Sequence, residues 1–135
     1  MGTGESFLRL PDERKVRMDY RDLSVWKIGM RLAKEVYKSI IPKLPEQEKY
    51  GLASQMGRAA VSVPSNIAEG HSRESTKEYI QFVTYAKGSL AELQTQLLLT
   101  ADIGYLADAD VSPLLDLSND LMRKINKLLI ALKNK

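Results

Sequence analysis

The 135-residue chain contains no cysteine, which excludes a disulfide framework and any thiolate metal site and fits a reducing, cytoplasmic setting. It has a single histidine, His71, placed in a turn two residues from Glu69, the wrong spacing for two ligands on one helical face. The Glu-x-x-His motifs of bundle metal sites are missing, as are Walker-type and dinucleotide-binding glycine motifs. A nucleophilic serine would need a placed base, and Ser62, Ser65 and His71 combine only on paper. No apolar run approaches the roughly 20 residues that cross a bilayer, and the N-terminus lacks the apolar stretch of a secretion signal. Strand-type alternation, internal repeats and low-complexity stretches are also lacking. These absences predict a cytoplasmic protein with no membrane association, no enzymatic activity, no cofactor and no bound metal. The net charge of +3 is only mildly basic, so nucleic-acid binding must be argued from where the charges sit.

What is present is helical periodicity over one domain's length. Residues 1–19 are polar, carry Arg9, Arg14, Lys15 and Arg17, and show no sustained period. They read as a flexible tail, with Met18 a plausible native start, ahead of a bundle over 20–135. A first helix is expected from Asp22 to Ile41, stopped by Pro42 and Pro45. It carries two apolar stripes: Leu23, Trp26, Met30, Ala33, Tyr37 and Ile40 as the core seam, and Val25, Ile28, Leu32 and Val36 on another face. Together they leave a polar arc of only about 120°, narrower than a peripheral helix of a monomeric bundle shows. The Val25, Ile28, Leu32 and Val36 stripe is therefore the expected oligomer interface.

A second helix is expected from Glu46 to Glu69, with Gly70 as a left-handed cap. Ser75 and Glu78 form a capping-box pattern that opens a third helix, with a seam of Tyr79, Phe82 or Val83, Ala86, Leu90, Leu93, Leu97 and Ala101, closed by Gly104. The remaining faces of that helix are poor in charge. For the fourth, Ser112 is the expected cap and Pro113 the first helical residue, ahead of Leu114, Leu117, Leu121, Ile125, Leu128 and Leu132. Short connections make neighbours antiparallel. The fold class is all-α, an antiparallel up-and-down four-helix bundle whose second helix should kink or break at Pro64, where a proline costs about 3 kcal/mol unless compensated.

Around that proline, Arg58, Ser62, Asn66 and Glu69 recur at helical spacing as a polar seam, with Arg73 beyond. Ser62, Ser65 or Asn66 can bond backbone groups freed by Pro64. Glu69 in a last turn opposes the helix dipole and needs a cationic partner: Arg58, Arg73 or a neighbouring subunit. The seam is either a packing device or a subunit-contact or ligand site built from Arg58, Asn66, Glu69 and Arg73. Tyr20-Arg21-Asp22-Leu23, Val25-Trp26, Tyr50-Gly51-Leu52, the run from Arg58 to Gly70, and Ser89, Glu92 and Leu93 resemble the bacterial four helix bundle protein family. Its members include proteins encoded in intervening sequences of large-subunit ribosomal RNA genes, and it looks related to the accessory variability protein of diversity-generating retroelements. Gly57 departs from the pattern, which often carries Arg there. The resemblance implies a compact bundle assembling into a ring, commonly a pentamer, without enzymatic activity.

Lys27, Arg31, Lys34 and Lys38 fall on one side of the first helix at i, i+4, i+7 and i+11, a spacing that could follow phosphates of RNA or DNA. The plainer reading is a solvated face in which Glu35 pairs with Arg31. Trp26 and Tyr37 are expected in the core rather than stacked on bases. The expected function is a non-enzymatic, ring-forming accessory or scaffold for nucleic acid or a nucleic-acid enzyme. The alternative is a protein-only adaptor or structural oligomer.

Overall fold

The computed structural model describes residues 19–135, so the expected tail lies outside the described residues except for Asp19. Asp19 belongs to the fold: its Oδ1 accepts from the Arg21 amide at 2.8 Å and caps a 3₁₀ turn, Tyr20–Asp22. The Arg21 guanidinium bonded to the same carboxylate holds the Asp19 carboxyl well below the usual range. Four helices follow: α1 (Ser24–Glu35), α2 (Leu52–Ser72), α3 (Thr76–Asp102) and α4 (Asp108–Lys133), with no strand among the described residues. None of them is long and apolar enough to cross a membrane. Gly29 on α1 lies against Pro64 on α2, and Tyr37 against Gly57, so numbers rise along one helix as they fall along the other. The same holds for α2 and α3, where Gly70 meets Phe82 and Ser62 meets Ser89. The fold is the expected all-α four-helix bundle.

The two stripes of α1 do not divide the roles as expected. Val25, Leu32 and Val36 are buried in the subunit's own core, and Ile28 is half-buried against it. That corrects the assignment of this stripe to an oligomer interface. The reason is that this face, with Gly29 buried between Val25 and Leu32, is the one packed on α2: Pro64 atoms stand 3.5 Å, an ordinary contact distance, from where a Gly29 Cβ would be. The other stripe divides. Ala33 and Ile40 are buried, whereas Met30 and Tyr37 are exposed, Tyr37 at 52%, so Tyr37 is not a core residue. Beyond Glu35 the helix widens into a π turn, Val36–Ile40, and then tightens into a 3₁₀ turn, Ile41–Lys43, where Pro42 removes a donor.

α2 starts later than the sequence suggests, because Glu46–Glu48 form a separate 3₁₀ turn after Pro45. Glu48 Oε1 accepts from the Leu52 amide at 3.0 Å and so serves the new helix start. The helix is not broken at Pro64; it runs continuously to Ser72 with the proline inside and buried. Nor does Gly70 cap it. Gly70 is buried within the last turns, where a Cβ would lie 2.8 Å from Phe82 Cβ, so its role is close approach of α2 to α3.

α3 opens as expected, with Ser75 Oγ accepting from the Glu78 amide at 3.0 Å, and closes at Gly104, whose φ of 86° is left-handed. Its buried line is Val83, Ala86, Leu90, Leu93 and Leu97, extended by Gln96 and Thr100. α4 begins a turn before the expected Ser112 cap: Asp110 Oδ2 accepts from the Ala107 amide at 3.2 Å, which leaves Pro113 inside the helix. Acidic Asp108 and Asp110 complement the positive end of this helix. Lys43 binds Asp110 at 2.9 Å and Tyr105 donates to Glu48 at 2.9 Å, tying the α1–α2 connection to the α3–α4 end.

Candidate subunit and nucleic-acid surfaces

The polar seam of α2 resolves into a clasp and an ion pair. Asn66 Nδ2 donates to the Ser62 carbonyl and to Ser62 Oγ, both at 2.9 Å, and Ser62 Oγ shares a 2.8 Å hydrogen bond with Ser89 Oγ on α3. The carbonyl deprived of its partner by Pro64 is that of Ala60, so Asn66 serves a neighbouring turn rather than the freed group. Glu69 pairs with Arg73 at 2.8 Å on an exposed i, i+4 edge, and the Arg73 guanidinium also lies 4.7 Å from the Phe82 ring centroid. Arg58 is exposed and has no ion pair among the described residues. The structure therefore brings Ser62, Asn66 and Ser89 together, and Glu69 with Arg73. It does not bring Arg58 to Glu69.

All four cations of the α1 stripe, Lys27, Arg31, Lys34 and Lys38, are exposed, and none has an ion pair among the described residues. Glu35 does not pair with Arg31; its Oε1 accepts from Ser39 Oγ at 2.9 Å. The stripe is also less uniform than its spacing suggests. Arg31 lines a cleft together with Glu35, Asp116 and Asp120, so acidic side chains of the same chain share its surroundings, Asp120 itself being paired with Arg123 at 3.3 Å. Lys34 instead borders an apolar cleft between α1 and α2.

That second cleft escaped the sequence reading. It encloses about 400 Å³ between Trp26, Met30 and Tyr37 on one wall and Val61, Pro64 and Ala68 on the other. Tyr20 stands at its edge, its ring edge-on to Trp26 with centroids 5.5 Å apart. Met30 is 45% and Val61 43% exposed, large values for apolar side chains on facing helices. The available signal was Gly29: with Gly29 and Leu32 turned toward α2 and the core, Met30 and Tyr37 turn outward, while Trp26 stays half-buried against the core as expected. The charge-poor faces of α3 expose another apolar set, Leu98, Leu99 and Ile103. Gln96, two residues before Leu98 and buried, leaves its Oε1 without a hydrogen-bond partner among the described residues. No group of three or more His, Cys, Asp or Glu residues that could hold a metal occurs among the described residues.

Among solved structures, the chain resembles a protein of unknown function from the S23 ribosomal protein family of Bacteroides thetaiotaomicron. The two share 18% identity over 78% of this chain and 97% of that chain, with a TM-score of 0.70. At that identity the likeness shows the fold. No curated protein matches the chain. The decisive match is by family: residues 21–127 match the family described as 23S rRNA-intervening sequence protein, a span that includes the clasp, the cationic stripe and nearly all of the bundle. On that match the chain belongs to the 23S rRNA-intervening sequence protein family.

Proposed function

We propose that this protein is a non-enzymatic helical scaffold of the cytoplasm that assembles with copies of itself into a ring, a pentamer, and accompanies nucleic acid or a nucleic-acid enzyme. The observation that carries the reading is a row of exposed cations without ion pairs beside an exposed apolar cleft: one feature suits phosphates, the other suits a protein surface. The family's link to ribosomal RNA genes adds support on the nucleic-acid side. Repeated around a ring, a short cationic row becomes a belt, and counterion release grows with every phosphate it neutralises.

Such contacts read no bases, so binding is weak and indifferent to sequence. The test is affinity for a single-stranded RNA and a duplex DNA across a salt series. The plot of log affinity against log salt steepens by about 0.7 to 0.9 per neutralised phosphate, and Lys27→Gln with Lys38→Gln flattens it equally for every sequence. An assembled protein that binds neither nucleic acid at about 50 mM salt, where such contacts are strongest, would leave the protein-only adaptor as the better reading. One observation favours that second reading: the carboxylates of Glu35 and Asp116, in the cleft that Arg31 lines, repel phosphate along one edge of the stripe.

A further inference from the structure

Two exposed apolar surfaces on different sides of the bundle carry opposite charge. The α1–α2 cleft is lined by Trp26, Met30, Tyr37 and Val61, with Lys34 on its rim. On the other side, α3 exposes Leu98, Leu99 and Ile103, at 56%, 44% and 50%, with Asp102 among them. Next to that ridge a cleft of about 630 Å³ between α3 and α4 adds Ala101 and Leu115, with Asp108 and Asp116 beside Asp102. Those three carboxylates have no ion pair among the described residues, as is true of Lys34. Apolar patches of this kind mark places where another molecule docks, and matched unpaired charge selects which.

We propose that the α1–α2 cleft of one copy receives the α3–α4 face of a second copy, with Leu98, Leu99 and Ile103 against Trp26, Met30, Tyr37 and Val61, and Asp102 opposite Lys34. The inference rests on the self-assembly reading above and names the surfaces that make it. Two different patches form a heterologous contact, so every copy that fills one cleft presents another, and the chain of contacts ends only by closing into a ring. A contact of the cleft with itself would set Lys34 against Lys34 and leave the α3 ridge uncovered.

The test uses sedimentation of the full chain and two exposed-surface variants, Met30→Glu with Tyr37→Glu and Leu98→Glu with Ile103→Glu. All three are checked for an unchanged helical spectrum; the corresponding Ser variants replace any that fails to fold. Each variant alone is expected to lose self-association at least about tenfold, the effect of roughly 1.4 kcal/mol, and to sediment as the 15.2 kDa chain. Mixed in equal amounts, the two should form a one-to-one dimer and nothing larger, because only one intact cleft and one intact ridge remain to meet. A mixture that stays monomeric overturns the pairing of cleft with ridge. Variants that remain as oligomeric as the wild type overturn both surfaces while leaving self-assembly standing. A cleft variant that keeps its oligomer and loses RNA binding makes the cleft a nucleic-acid surface and overturns the proposal too. A wild-type chain found only as a monomer at micromolar concentration sinks the self-assembly reading itself, and this inference with it. Lys34→Glu and Asp102→Lys should each weaken assembly and restore it when combined; absence of rescue removes that contact.

Discussion

The two faces of α2 are built on opposite principles. Toward α3 it presents Gly70, Ser62 and Asn66, small or short polar groups that let the backbones approach, and Ser62, held by Asn66, then locks them with one hydrogen bond to Ser89. Toward α1 the backbones also come close, at Gly29 and Pro64, but beside that point Trp26, Tyr37 and Val61 open into a cleft. One face of the helix is closed by packing within the chain, and the other leaves an apolar cleft exposed. Small residues therefore mean different things here according to what their missing Cβ would meet. At Gly70 it would strike Phe82 Cβ and the Tyr79 carbonyl, parts that cannot move alone. At Gly57 it would meet Tyr37 Oη at 2.7 Å, the free end of an exposed side chain.

The sharpest break in this comparison would come from the floor beneath the cleft. Leu32→Ala should destabilise the subunit by about 2 to 5 kcal/mol, as fully buried leucines do, whereas exposed Met30→Ala should change it by no more than about 0.5 kcal/mol. Urea midpoints measure both; a silent Leu32→Ala would return that residue to an interface. Next in size, Gly70→Ala should cost about 1 to 3 kcal/mol through overpacking. Gly57→Ala, where Tyr37 can swing away, should gain up to about 1 kcal/mol of helix propensity. Equal effects at the two glycines would erase the difference between the faces. Ser89→Ala removes the α3 half of the clasp and should cost about 0.5 to 1.5 kcal/mol in thermal melts, an ordinary hydrogen bond's worth.

Smaller still is the ion pair at the exposed edge. A double-mutant cycle on Glu69 and Arg73 should give about 0.2 to 1 kcal/mol, while one on Glu69 and Arg58 gives nothing measurable. The least effect belongs to Asp110, whose carboxyl the Lys43 ammonium, and then the Ala107 amide, hold below its ordinary value. A depressed folded value means its contribution is present above the unfolded pKa of about 3.9 and is lost as pH falls through the lower folded one. In an NMR titration Lys43→Ala should raise the Asp110 midpoint toward the ordinary range; an unmoved midpoint would discard the pair.

The bundle was legible because caps and periods agree: Ser75, Gly104 and the Leu90, Leu93, Leu97 line fall where the pattern puts them. What the pattern could not decide was which stripe of α1 faces inward, since both are apolar and a helical wheel carries no origin. The missing information was tertiary, namely that the face carrying Gly29 is the one that packs against Pro64 of α2. The start of α4 was hidden for a local reason. Pro113 carries the familiar mark of a first helical position, while the true start uses Ala107 and the reach-back of Asp110. Of the site residues, the cationic spacing could be read directly, but two of the three carboxylates that share the Arg31 cleft, Asp116 and Asp120, come from α4, almost ninety positions away in the chain.

The π turn at Val36–Ile40 bears on how chains of this fold can vary in length. A π turn holds one residue more than the α turn it replaces, and here both of its ends, Val36 and Ile40, remain in the core. The surplus residue is carried on the outside, among Tyr37, Lys38 and Ser39, the same stretch that supplies one wall of the cleft and the end of the cationic row. A related chain could shed that residue, close the turn to ordinary α geometry, and keep the buried pair while rotating the outward side chains. The segment is thus a register joint, through which the surface of α1 can be re-aimed without rebuilding the interior.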